Sequence, residues 1–422
     1  MAYIFCTMKR AWLIPLVVAA LTVVGLVVWR SVKFDRLLAG NYPELDGGVY
    51  SSPLSKGGVQ YLVPPNQIYD NQLGAEGIPA INEPKYVDIY TADEVLADEV
   101  FGLDVEAGGQ HYFYPFQILN WHEVVNDTLN GVPLAITYST MCGSPVVYER
   151  TVNGAVVNLS VSGKIYNSSS LLTDGTSSTL WHQLSGLAIA GDQVGDSLTR
   201  YPSVAMPWST WRDAYPNGRV LSIETGYARE YGRHPYGGYE TSKVMYFPVN
   251  HLNDHLPPKE KVFDVTNGQD HIAYAAKYLG FQNEPNLTIG QGENVLNTVG
   301  MMDFETGVVK VFNRQVADKL LTFVRDGAEF TDQETGTTWN LDGLATAGEL
   351  RGTQLEQIIA PVSYVFCYSA MYPQAVISGD EIFDWDGDGV VEGALEGVEG
   401  ESTDSSAASE SGTLELDSFQ VE

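Results

Sequence analysis

The sequence predicts a β-rich α+β protein: two tandem, pseudo-twofold halves packed as one globular unit behind an N-terminal transmembrane helix. Three observations carry that expectation. The chain contains a long stretch of itself twice, its apolar residues alternate with polar ones in short runs bounded by Gly, Asn and Pro, and residues 11–29 form an uninterrupted uncharged run.

The duplication decides most. Thr173 onward reads TDGTSSTLWHQLSGLAIAGDQVGDSL, and Thr331 onward reads TDQETGTTWNLDGLATAGELRGTQL. Asp174 faces Asp332, Trp181 faces Trp339, Leu198 faces Leu355, and Gly186, Gly191 and Gly195 face Gly343, Gly348 and Gly352. Upstream, VFGLDVEAGGQHYFYP from Val100 matches VFDVTNGQDHIAYAA from Val262, and VVYER ending at Arg150 matches VFNR ending at Arg314. Downstream, Tyr215-Pro216 faces Tyr372-Pro373, so the copies cover roughly 100 to 222 and 262 to 378. Each copy is expected to hold a hairpin with a Gly-containing turn, a short helix (near PFQILNW in the first), β-rich runs such as PLAITYS and PVVYERTVNG, and a last helix. In the first copy that helix is expected near Pro207. The repeated glycines read as positions of positive φ or close backbone approach.

In chain order, residues 1–10 are a short tail and Ala11 to Trp29 a membrane span. Residues 30–84 are a Gly- and Pro-rich irregular lead-in, 85–250 the first half, 251–378 the second, and 379–422 an acidic tail expected to be disordered. The span is nineteen residues long, enough at about 1.5 Å per residue to cross a hydrocarbon core. No small-residue cleavage signal follows it, which favours an uncleaved signal anchor. Lys9 and Arg10 precede it and Arg30, Lys33 and Arg36 follow, so flanking charge leaves the orientation nearly balanced. A box at Thr91-Ala92-Asp93-Glu94 is expected to cap a short helix.

Charge narrows the partners. The formal charge of −30 argues against nucleic acid and anionic membrane faces, because each phosphate contact would begin from repulsion. Fourteen of the acids lie after Ser378, where there is no Lys or Arg, so the rest of the chain carries −16 by difference.

Candidate chemistry gathers in the first half, where the copies differ. NWHEVVND has no counterpart in the second half, Met141-Cys142-Gly143 becomes a Met-Met-Asp run, and His182 faces Asn340. The catalytic candidates are therefore His122, Glu123, Asp127, Cys142 and His182. His122-Glu123 is not a zincin motif, since the position four after His122 is Asn126. His122, Cys142 and His182 are chemically able to bind a metal together, and Cys142 with either histidine would make a thiol nucleophile pair. The bland reading is a set of satisfied histidines and a small buried cysteine. Cys142 and Cys367 share a compartment, and their spacing leaves open whether they pair or stay thiols. Arg150 is a candidate anion partner, although the matching Arg314 points to a structural job. Asp384, Asp386 and Asp388 before Gly389 imitate the first half of a calcium loop, but position twelve is Leu395, which leaves two readings: a weak calcium site, or a merely solvated acidic tail.

GIPAINEPKY, FYPFQILNWHEVVNDTLNGVPLAITY, CGSPVVYER, SGKIYNSSSLLTD, LWHQLSG, HPYGGY and TGTTW together resemble the bacterial and archaeal family of domain of unknown function 3179, from about Gly77 to Ser378. The resemblance implies the family's fold and an extracytoplasmic or membrane-associated setting. It implies no activity. The family commonly reads Tyr-Cys-Pro-Leu-Cys-Gly where this chain has Tyr138-Ser139-Thr140-Met141-Cys142-Gly143, and serine where this chain has His182. A dithiol role is accordingly not expected here.

Two functional classes follow. The first is a membrane-anchored extracytoplasmic binding or structural module of the cell envelope, whose aromatic surface, with Tyr236 and Tyr239, meets a small ligand or an envelope protein. The second is an enzyme with a first-half site built on Cys142, His122 and His182. Convergence of the five candidates on one cavity would favour the enzyme.

Overall fold

The computed structural model describes residues 48–378 apart from 75, 76 and 293. The apolar run 11–29 and the acidic tail with Asp384, Asp386 and Asp388 lie outside the described residues, so the anchor and calcium expectations do too. Among the described residues no helix is long and apolar enough to cross a membrane. Strand makes up 40% and helix 12%, which is the β-rich α+β class the alternating runs predict.

Three sheets of the first half have partners of like order in the second. Phe101–Ala107 and Gln110–Pro115 form a hairpin closed by Gly108 and Gly109, both at positive φ. Val204–Pro207 pairs antiparallel with one side and Arg219–Leu221 runs parallel on the other, with Tyr86–Val87 beyond it. In the second half Lys261–Thr266 and His271–Ala275 form the hairpin, Val362–Tyr364 lies antiparallel and Val376–Ser378 parallel. Next come meanders of identical order: Val124–Leu129, Val132–Ser139, Ser144–Glu149 and Arg200–Tyr201, against Asn286–Ile289, Leu296–Met302, Val309–Asn313 and Gln357–Ile358. The third pair is Ser160–Tyr166, Ser169–Thr173, Leu180–His182 and Ala188–Ala190, against Phe323–Asp326, Glu329–Asp332, Thr338–Trp339 and Ala345–Ala347.

Short helices follow the hairpins and close each half. Phe116–His122 turns Ile118, Leu119 and His122 inward, and Glu123 ends it in the left-handed region at φ 55° while its N–H bonds the Leu119 carbonyl. The helix expected near Pro207 is Trp208–Ala214, with Pro207 as its N-cap, and its counterpart is Val365–Met371. Proline suits that place because no helical N–H is lost there.

Two local expectations are corrected. The helix Ile89–Asp93 is capped by Asp88, whose carboxylate accepts from the Thr91 N–H; Thr91 is inside the helix and cannot cap it. The lead-in is not wholly irregular, since Leu54–Lys56, Val59–Tyr61 and Tyr69–Asp70 extend the third sheet of the first half to seven strands. Strands of two or three residues between Pro and Gly carry too little periodicity to read from sequence.

The repeated residues hold matching positions. Trp181 and Trp339 are buried, and truncating either to Ala would cost about 3–5 kcal/mol. Gly186 and Gly343 sit at φ 76° and 72°, and a Cβ on either would strike the ring of Tyr148 or Phe312. Arg150 donates from Nη1 to the Val157 carbonyl and from Nη2 to Thr128; Arg314 donates in the same way to Leu321 and Thr288.

Candidate functional site

The five first-half candidates do not line the cleft of about 920 Å³ between the halves, and the structure gives each a local occupation. His122 ends its helix fully buried, with Nδ1 2.7 Å from the Pro79 carbonyl and Nε2 2.7 Å from the Tyr231 hydroxyl. The carbonyl fixes the proton on Nδ1, so Nε2 accepts from the tyrosine. Burial pushes this imidazole below its ordinary pKa and keeps it neutral. Glu123 is buried with Oε2 accepting from Ser170 Oγ at 2.7 Å; burial pushes its carboxyl up to about 7 against the pull of that bond. Asp127 accepts from the Tyr114 hydroxyl at 2.7 Å and from Tyr86, and burial raises it to about 6. These are links between helix end, strand and neighbouring loops.

Cys142 is bonded to Cys367, 225 positions away, in a disulfide that ties the first half to the second. The pairing corrects the thiol reading, because a sulfur held in a disulfide supplies neither a thiolate nucleophile nor a metal ligand. Among the described residues no three His, Cys, Asp or Glu side chains are grouped to hold a metal ion.

His182 is buried, pushed by burial down to about 4, and its Nδ1 lies 3.1 Å from Ser185 Oγ and 3.4 Å from the Ser185 N–H. Asn340 does the matching work in the second half, where its Oδ1 accepts the N–H groups of Asp342 and Leu344 at 3.1 and 2.9 Å. His182 is thus the cap of a turn. Arg150 spends its donors on Asp127, Val157, Thr128 and Asn158, so the anion reading finds no free fork. Tyr239 is not surface-exposed: it is buried, its hydroxyl donates to the Met141 carbonyl at 2.9 Å, and Tyr236 packs half-buried beside the disulfide.

A cleft of about 920 Å³ opens instead at the junction of the halves. One wall carries Ser185, Leu187 and Ser197 of the first half; the other carries His271, Thr288, Gln291 and Tyr372 of the second. Its outer rim is stiffened by side-chain amides, with Asn267 donating to the Asn294 carbonyl at 2.9 Å and Asn294 to Gln269 Oε1 at 2.8 Å. Asp270 lines it, and among its described lining residues there is no Lys or Arg.

His271 is held from behind. Its Nδ1 is 2.8 Å from Oδ1 of the fully buried Asp264, and its ring stacks on Tyr372 at 3.8 Å. Asp264 Oδ2 accepts from Arg200 Nη1 at 2.8 Å, and Arg200 Nη2 reaches the Leu184 carbonyl beside Ser185 at 3.3 Å. Burial alone would push the Asp264 carboxyl up, but Arg200 and His271 outweigh it and hold it below the usual carboxylate range. The ionised carboxylate keeps the His271 proton on Nδ1 and leaves Nε2 as the ring nitrogen available to the cleft. His111 repeats part of this, at 3.0 Å from Asp104 and stacked on Tyr215, but Asp104 takes Trp211 Nε1 where Asp264 takes a guanidinium.

Nothing in the sequence alone marks His271 and Asp264 as site residues, because both fall in the duplicated stretch and read as scaffold. The available signal was Arg200: it pairs with Tyr148 where its counterpart Gln357 pairs with Phe312, an unmatched cation in a matched frame.

Residues 75–375 match the family described as Protein of unknown function (DUF3179). The matched stretch is more than half of the 422-residue chain, and the chain belongs to that family. No curated protein and no solved structure matches the chain.

Proposed function

We propose that the protein is a membrane-anchored, extracytoplasmic binding module of the cell envelope, built from two copies of one unit, whose cleft between the halves takes an uncharged polar ligand. The cleft carries the reading. At about 920 Å³ it is large enough for an organic ligand, and hydroxyl and amide groups from both halves reach it. A lining without Lys or Arg gives an anionic ligand no counter-charge, while Ser, Thr, Gln and Asn side chains suit a sugar or a peptide backbone.

The setting is supported separately. A disulfide between distant segments persists in an oxidising compartment and is uncommon in the cytosol. The apolar run Ala11 to Trp29 supplies the tether and needs no second copy. Support for the two copies comes from the matched strand orders and from the paired roles of Arg150 with Arg314 and Trp181 with Trp339.

The test has two arms. Protease added to spheroplasts should digest the large domain, and full protection of that domain would reverse the topology. A panel of neutral oligosaccharides and peptides should raise the melting temperature of the wild-type chain, and His271→Ala or Ser185→Trp should abolish the rise while His111→Ala preserves it. A rise of equal size in all three variants would remove the cleft from the proposal.

A further inference from the structure

A second cavity lies elsewhere on the junction, next to the disulfide, and its chemistry is unlike that of the cleft. It has a volume of about 120 Å³ and is walled by Phe101, Phe116 and Tyr138 of the first half and Phe263 and Tyr364 of the second, with Glu240 and Lys261 at the side. We propose that it is a binding site for a small alkylammonium cation, such as a quaternary ammonium head group.

Two features of the walls are fixed by the fold. Phe116 and Tyr138 stack at 4.7 Å with their planes 14° apart, which fixes the two rings against each other on one wall. Tyr364 lies directly against Gly143: a Cβ there would come within 2.7 Å of the ring, so the glycine after Cys142 is needed for the opposite wall to approach. The disulfide Cys142–Cys367 then holds both backbones in register. Aromatic faces carry the negative part of the ring quadrupole, and several of them around one cation replace water that a methylated ammonium binds poorly.

The carboxylate is placed as deliberately. Glu240 belongs to the short turn Tyr239–Thr241, which the buried Tyr239 pins by donating its hydroxyl to the Met141 carbonyl at 2.9 Å. Burial pushes the phenols of Tyr138 and Tyr364 up, and the charge of Glu240 raises both further. The negative charge therefore acts on both aromatic walls at once. His234 Nε2 lies 3.4 Å from the same carboxylate.

A cation already samples this surface. Lys261 Nζ sits 5.0 Å from the centroid of the Phe101 ring. The chain's own ammonium is thus a stand-in for the ligand and its competitor. That gives two substitutions of opposite sign: neutralising Glu240 removes attraction, and neutralising Lys261 removes the competitor and its repulsion. A zwitterion would respond otherwise, because its carboxylate would need Lys261.

The experiment is calorimetric titration of the full chain in detergent with choline chloride, using sodium chloride as the ionic-strength control and glycine betaine as the zwitterionic arm. Wild type should bind choline saturably at one site. Glu240→Gln should weaken binding about tenfold and Lys261→Met should tighten it severalfold, with unchanged melting temperatures showing that both variants fold. Absence of saturable choline binding in both wild type and Lys261→Met overturns the proposal. So does an affinity indifferent to Glu240→Gln. Betaine binding that Lys261→Met weakens would reassign the cavity to a zwitterion and equally overturn the cation assignment.

Discussion

Arg200 and Asp264 meet across the junction of the halves, Nη1 to Oδ2 at 2.8 Å, with the carboxylate wholly shielded from water. Asp264 also orients His271, so one carboxylate joins the packing of the halves to the geometry of the cleft.

Removing Arg200 leaves Asp264 charged and fully buried, and removing Asp264 leaves Arg200 charged and mostly buried. Arg200→Met or Asp264→Asn should each lower the unfolding free energy by about 3–5 kcal/mol, while the double change Arg200→Met with Asp264→Leu should cost less than the sum. The folded carboxyl is depressed, so its contribution is present above the unfolded carboxylate pKa and is lost as pH falls through the folded value. Denaturant curves at a series of acid pH values should accordingly be shallower in Asp264→Asn than in wild type. An unchanged acid limb would mean that the pair contributes nothing to the junction.

The disulfide makes a comparable prediction for the opening candidates. Closing so long a loop restricts the unfolded chain, and its removal by Cys142→Ser or by reductant should cost about 2–5 kcal/mol. His122→Ala strands the Pro79 carbonyl and leaves the Tyr231 hydroxyl only its bond to Thr225, and should cost about 2–4 kcal/mol. On sequence grounds alone, a ligand pocket at these residues predicts melting temperatures that barely move. Calorimetric scans of the two variants decide between structural cross-links and a ligand pocket, and the bonds these side chains make favour the cross-links.

What was legible depended on whether a residue acts through local pattern or through distant meeting. The hairpins, the helix after Pro115 and the helix after Pro207 were readable because alternation and proline placement are local. Gly186 and Gly343 were readable as constrained positions because one sequence showed them twice. The large cleft was not, since Ser185 and His271 are brought together only by the packing of the halves. His182 misled for a physical reason: an imidazole Nδ1 can accept a turn N–H as an amide Oδ1 does, so a histidine against Asn340 looked like new chemistry when it is the same cap.

Two buried groups should pull stability in opposite directions as pH changes. Burial raises Glu123 from the ordinary glutamate 4.5 to about 7, so the unfolded chain loses this proton first and folding becomes less favourable as pH rises across that window. His182 is lowered to about 4 from 6.5, so the unfolded chain gains this proton first and folding becomes less favourable as pH falls across its own window. Each window, between about 4.5 and 7 for Glu123 and between about 4 and 6.5 for His182, corresponds to about 3 kcal/mol. Asp127, raised by burial, adds to the first slope, and His122, lowered by burial, adds to the second. Wild type should therefore vary little in stability between about pH 5 and 6.5, where the windows overlap. Glu123→Gln keeps an acceptor for Ser170 and removes the first slope, so its stability should climb with pH and exceed wild type near pH 7.5. His182→Asn keeps the turn cap in the form Asn340 uses and removes the second slope, so its stability should fall as pH rises. Urea curves at pH 5, 6 and 7.5 on the three proteins read both signs. Parallel pH profiles in all three would show that neither group carries a shifted proton in the folded chain.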